Sequence, residues 1–214
     1  MRILFLHGYQ QSPAIIQDEA KFLPSFLESV FGGHVELLYP QAPFVSTSRS
    51  NKDSTYSWWP EDDELDHAAT FAYLSEILDS SGPFDGVIGF SQGASVGSLL
   101  AALLEQPQDM RPVAFSTTHT AFRFVVSFSG YREEDVRVRK YYEPRISTPI
   151  LHFISASDPI LSEERCLRLV DSCEDADGRV VIYPGSGNHR IPSTKATKAS
   201  LSRFLVDFTD PEVC

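Results

Sequence analysis

The chain has 214 residues, 42% of them apolar, and a formal net charge of −11. That acidity argues against a partner made of phosphate backbone and against an anionic membrane surface, so neither nucleic acid nor membrane is expected as a partner. The length suits one domain, residues 1–214, with a substantial core.

The run Ile3-Leu4-Phe5-Leu6 reads as a strand buried on both faces, with a loop at its carboxyl end from His7 to Ser12. It is too short for a secretory leader, and no apolar run in the chain reaches membrane-spanning length; a cytoplasmic protein is expected. Residues 14–31 carry Phe22, Leu23, Phe26, Leu27 and Val30 at helical spacing. Pro24 marks a kink or a restart there, and Gly32-Gly33 a stop. Residues 35–39 read as a second strand, stopped by Pro40. Residues 41–60 are the longest irregular stretch, rich in Ser, Thr and Pro, with Tyr56, Trp58 and Trp59. Loops of this length in compact domains are functional or disordered, and two adjacent tryptophans bring too much apolar area for disorder. The aromatics anchor the loop to the body or wall a substrate pocket, and the two roles are compatible. The acidic run Glu61-Asp62-Asp63-Glu64 suits the positive end of a helix reaching about residue 79, not a metal site.

Residues 87–90 read as a buried strand, and 92–105 as a helix of small and apolar residues. Residues 106–121 read as a polar surface connection and 122–130 as another strand. Residues 131–148 are charged and aromatic without an apolar period, a lid or a loop over the sheet edge. A strand at 149–154 ends in Ser155-Ala156-Ser157-Asp158-Pro159. A helix at 162–173, capped by Ser162, would put Cys166 and Cys173 on a shared face. With Cys214 the cysteines number three. Their spacing is not a metal pattern, and reduced thiols in a reducing compartment are expected. A last strand at 179–183 leads through a glycine-rich loop to a helix at 193–208. Strands that are continuous apolar runs, alternating with helices, predict a mainly parallel sheet of about six strands with helices on both faces. Sites in such sheets form at the carboxyl ends of the strands.

One such end carries Gly89-Phe90-Ser91-Gln92-Gly93, a G-x-S-x-G pattern between a strand and a helix. A serine hydroxyl becomes a nucleophile when a base takes its proton, and a sharp strand-to-helix turn pushes its Oγ out of the fold. The flanking glycines relieve the crowding, and the helix N-terminus favours developing negative charge. Of six histidines, His34 looks like surface, His67 lies on an acidic helix, His119 in a polar loop and His152 inside a strand. His189 follows the last strand in a loop that lets its ring reach the sheet top, and is the candidate base. Asp158 follows the preceding strand and is the candidate carboxylate that holds the imidazole tautomer; the alternative is that it only shapes its Asp-Pro turn. The order Ser91, Asp158, His189 is that of a nucleophile-elbow α/β-hydrolase. The oxyanion would bind two backbone N–H groups, one on Gln92 and one on Tyr9 or its neighbour Gln10. His7 and Gly8 then serve loop shape, with His7 pinning the loop through hydrogen bonds; His7 as a second base is the alternative.

Leu6-His7-Gly8-Tyr9-Gln10-Gln11-Ser12, Trp58-Trp59, the stretch from Gly82 to Ala94, Phe124 to Gly130 and Thr148 to His152 together resemble the FSH serine hydrolases. That family includes OVCA2-type proteins and fungal polyketide-releasing thioesterases. The resemblance spans nearly the whole chain, in order. It implies Ser91 as nucleophile, Asp158 as acid and His189 as base, with no metal or cofactor. The implied reaction is hydrolysis of a carboxylic ester or thioester, and the expected partner is a small-molecule acyl ester or thioester, with the acyl group on CoA or on an acyl carrier protein as further forms. Acyl contacts would come from Tyr56, Trp58, Trp59 and residues 131–148. A polyketide-releasing thioesterase, a short- to medium-chain carboxylesterase and, in a different class, a non-catalytic binding module are the readings to separate. Pro184-Gly185-Ser186-Gly187-Asn188-His189 is longer than the family's compact Pro-Gly-Gly-His, and a less fixed resting position for His189 is the expected consequence.

Overall fold

The structure, a computed structural model, describes residues 1–46, 54–59, 67–176, 178–185 and 188–209. In chain order its strands are β1 (Arg2–Leu6), β2 (Glu36–Leu38), β3 (Phe44–Ser46), β4 (Thr55–Ser57), β5 (Gly86–Phe90), β6 (Phe124–Phe128), β7 (Ile150–Ser155) and β8 (Val180–Tyr183). Its helices are α1 (Pro13–Glu19), α2 (Leu23–Phe31), α3 (His67–Ser81), α4 (Gln92–Glu105), α5 (Val136–Arg139), α6 (Glu163–Val170) and α7 (Lys195–Leu205). Six strands, in the order β2-β1-β5-β6-β7-β8, form one sheet in which every pairing is parallel.

The period of two along each strand sorts the core onto two faces. Ile3, Phe5, Ile88, Phe90, Phe124, Val126, Leu151 and Phe153 point to one face, where Ile16, Leu23, Leu27, Leu201 and Leu205 of α1, α2 and α7 cover them. Leu4, Leu6, Val87, Val125 and Ile150 point to the other, against Phe71, Leu74 and Leu78 of α3 and the apolar length of α4. Each such side chain, fully buried, contributes roughly 1.5–3 kcal/mol. Both covers were expected from the apolar runs.

Several local expectations change. Residues 14–31 form two helices, because Pro24 sits in the first turn of α2, where a missing N–H costs nothing. The stretch 41–60 is not irregular throughout: β3 and β4 pair antiparallel, with Thr55 Oγ1 donating to Ser46 O at 2.8 Å. The acidic run 61–64 lies outside the described residues. The connection 106–121 buries Phe115 and His119, whose Nε2 accepts from Phe84 N at 2.8 Å. Residues 131–148 contain α5 and a 3-10 turn, and bury Val138, Tyr142 and Ile146 against the α3–α4 side of the core. Helix α6 ends at Val170, so Cys166 and Cys173 do not share a helical face. Cys166 packs with Tyr131, Ile154 and Leu161, whereas Cys173 joins the α3–α4 core. Both are free thiols, and Cys214 lies outside the described residues. No described helix is long and apolar enough to cross a membrane.

Candidate active site

Strand β5 ends at Phe90 and α4 begins at Gln92, leaving Ser91 alone in the turn with φ 52° and ψ −120°. A non-glycine residue held there stores roughly 1–3 kcal/mol and persists only where its surroundings fix it. They do so here. Ser91 N donates to Phe128 O at 2.8 Å, and Ser91 O accepts from Ala94 N at 3.0 Å and Ser95 N at 3.1 Å. The two glycines of the motif are set by close approach. A Cβ on Gly89 would lie 2.5 Å from the Ala94 backbone, and one on Gly93 only 2.3 Å from Leu6 O.

Asp158 follows β7 and His189 follows β8, and the structure brings them together. Asp158 Oδ2 accepts from His189 Nδ1 at 2.5 Å, and the Asp158 side chain is 2% exposed. Its Oδ1 accepts from Ile160 N at 2.8 Å and Leu161 N at 3.0 Å. The carboxylate therefore shapes its own turn and holds the imidazole, one oxygen for each. A charge-assisted bond of this length fixes both tautomer and ring direction. The His189 ring lies on the Phe90 ring, centroids 4.7 Å apart, one residue from Ser91. Its Nε2 is buried and, among the described residues, has no hydrogen-bond partner. The Asp–His arm is thus closed and the Ser–His arm open, as is common before substrate binds.

Beyond β1 the Gly8–Tyr9 peptide lies beside the serine: a Cβ on Gly8 would be 3.3 Å from Ser91 Cβ. Tyr9 is half-buried, and Gln10, the alternative donor, is exposed with φ 54°. His7 pins this loop. Its Nδ1–H donates to Gly8 O at 2.8 Å, and its Nε2 accepts from Ala42 N at 3.1 Å. Burial holds its pKa below the ordinary value, which keeps the ring neutral as that pattern needs.

The aromatic segment is tied to the same place. Trp58 is fully buried, with Nε1 donating to His7 O at 2.8 Å, and the Trp59 ring lies against His67 at 5.2 Å. Both tryptophans are core residues, whereas Tyr56 stays half-buried on β4, its N–H donating to Gln11 O at 2.7 Å. The Gln92 side chain closes the arrangement. Its Oε1 accepts from Trp58 N at 2.8 Å and its Nε2 donates to Trp59 O at 3.1 Å. Sequence reasoning missed this clasp, and equally Gln11 and Glu19, which join the loops around the serine. An ordinary polar side chain carries no signal of a partner so far along the chain. The other histidines lie elsewhere: His34 is exposed beside Glu28, and His152 is buried in β7 with Nε2 3.7 Å from Cys173 Sγ.

The family described as Serine hydrolase (FSH1) matches residues 1–201. The chain is 29% identical to "Family of serine hydrolases 3" of Saccharomyces cerevisiae, over 99% of this chain and 85% of that protein. It is 27% identical to "Esterase OVCA2" of Xenopus tropicalis, over 97% and 93%. It is also 27% identical to "Dihydrofolate reductase" of Schizosaccharomyces pombe, where it covers 96% of this chain and spans about half, 47%, of that protein. Among solved structures, Arabidopsis thaliana SOBER1 superposes with a TM-score of 0.63 at 20% identity, covering 98% of both chains. Zea mays acyl-protein thioesterase 2 gives 0.62 at 17%, covering 98% of this chain and 94% of that one. These likenesses establish the α/β-hydrolase fold, and the family match makes the chain a member of the FSH1 serine hydrolase family.

Proposed function

We propose that the chain is an esterase or thioesterase that passes through an acyl-enzyme on Ser91. His189, oriented by Asp158, takes the Ser91 proton on Nε2 as Oγ bonds to the acyl carbon. The tetrahedral oxyanion is held by the N–H groups of Tyr9 and Gln92. Collapse breaks the bond to the leaving oxygen or sulfur, which takes the proton from His189. Water, deprotonated in turn by His189, then releases the acid and regenerates Ser91. The observation that carries this reading is the Asp158–His189 pair at 2.5 Å beside a strained Ser91, with His189 Nε2 unpartnered among the described residues. The Tyr9 and Gln92 amides lend support, since neither has an intramolecular acceptor among the described residues. The substrate class is a small acyl ester or thioester. The names of the relatives, an esterase and an acyl-protein thioesterase, point the same way. Release of a carrier-bound or polyketide acyl group is the narrower form of this proposal.

A panel of p-nitrophenyl esters, acyl-CoA and carrier-bound acyl groups tests it. Turnover of at least one member is expected, with a loss of about 10³-fold or more in Ser91→Ala. Unchanged turnover in Ser91→Ala would sink the mechanism. A preference for esters over both thioester forms would assign a carboxylesterase.

A further inference from the structure

Glu19 is the last residue of α1, about two helical turns beyond the loop that carries Gly8 and Tyr9. Its two oxygens serve two different loops. Oε2 accepts from Gln11 Nε2 at 2.9 Å, and Gln11 Oε1 in turn accepts from Gly8 N at 2.8 Å. Oε1 accepts from Ile191 N at 3.1 Å, across 172 positions of sequence. Gly8 directly precedes the Tyr9 amide, and Ile191 lies two residues past His189. One carboxylate therefore links the loop offered to the oxyanion with the loop that carries the base.

We infer that Glu19 is a positioning residue that holds these two loops in register over Ser91, an inference that rests on the hydrolase reading above. The argument turns on donor and acceptor type. Gly8 N–H and Ile191 N–H are donors whose direction the backbone sets. Gln11 must turn its oxygen to Gly8, so its NH₂ faces Glu19. Position 19 thus meets two donors at once, and only an acceptor-only group satisfies both. An amide there, whichever way it is turned, sets a nitrogen against one of those donors.

The same logic supplies the test. Glu19→Gln keeps the volume and removes one acceptor. Gln11→Glu alone sets two carboxylates face to face. Made together, the two substitutions restore all three hydrogen bonds with the middle one reversed. The carboxylate at position 11 accepts from Gly8 N–H and from the new amide, whose carbonyl accepts from Ile191 N–H.

The measurement is kcat and KM on a p-nitrophenyl ester, with the rate of fluorophosphonate labelling and Tm, for wild type, both single variants, the double variant and Ser91→Ala. Each single variant is expected to lose about tenfold in kcat with KM within about twofold, since small misplacements near the reacting atoms act on the chemical step. The double variant is expected to return to within about threefold of wild type. Glu19→Gln at the wild-type kcat, or a double variant as slow as Glu19→Gln, would overturn the inference; so would a fall in Tm with no fall in kcat. If Gln11→Glu does not fold, Glu19→Gln against the double variant still decides. Wild-type protein with neither turnover nor labelling overturns the hydrolase reading and this inference with it. Ser91-dependent turnover that Glu19→Gln leaves intact overturns this inference alone.

Discussion

Gln92 does two jobs from one position. Its N–H opens α4 towards the serine, and its side chain accepts from Trp58 N and donates to Trp59 O in the buried interior. Gln92→Ala would leave both of those backbone groups unpaired, at about 1–3 kcal/mol each. Thermal unfolding should show the loss as a lower Tm, and an unchanged Tm would mean that water replaces the amide. The contrast with Ser91, Asp158 and His189 explains what was legible at this scale. Residues offered as nucleophile, acid and base have an order along the chain that the strand-and-helix topology sets, so the G-x-S-x-G turn and the two later strand ends carry a pattern, and the Asp158–His189 contact follows it. The role of His7 in pinning its loop was legible too, since a histidine between a strand and a glycine has backbone groups within reach. The bonds made by Gln92, Gln11 and Glu19 follow no spacing rule, because partners up to 172 positions apart meet only when the sheet is assembled.

At the scale of elements, the contact that sets the site is α4 against the end of β1. A Cβ on Gly93 would lie 2.3 Å from Leu6 O and 2.4 Å from His7 O, both backbone atoms of the strand and loop that lead to Tyr9. Gly93→Ala must push α4 and that loop apart, at about 3 kcal/mol. The expected Tm loss is about 6–12 °C for a chain of this size. A variant with wild-type Tm and activity would show that the elbow yields more easily than its geometry implies. The parallel sheet was readable because its inner strands, buried on both faces, are mostly apolar runs, unbroken in Ile3 to Leu6 and interrupted only by Ser127 in Phe124 to Phe128. The β3–β4 hairpin was not, since its strands have three residues each and carry Ser and Thr at their paired ends. The inner side of residues 131–148 escaped because Val138, Tyr142 and Ile146, although four positions apart, belong to a short helix, a 3-10 turn and a loop, so no continuous helix presents them as one face.

For the whole molecule, sensitivity to acid follows from the burial of His152 and His7. Burial pushes His152 down from 6.5 to about 3, and lowers His7 as well. Unfolded His152 takes up a proton near pH 6.5, while the folded one resists until about pH 3. Across that window the unfolded state binds more protons, so stability is complete above 6.5 and falls as the pH drops. His152→Leu removes this share, and its Tm should fall less steeply than that of wild type between pH 6.5 and 4; parallel curves would contradict the assignment. The proposed reaction is assigned to the carboxyl ends of β1, β5, β7 and β8, beyond which Tyr9, Ser91, Asp158 and His189 stand. The most direct test of that reaction is labelling of the folded protein with a fluorophosphonate, wild type beside Ser91→Ala, read by intact mass. A single adduct on wild type, absent from Ser91→Ala, is the predicted result. An unlabelled wild type, or an adduct that persists without the Ser91 hydroxyl, would contradict an activated serine at this site.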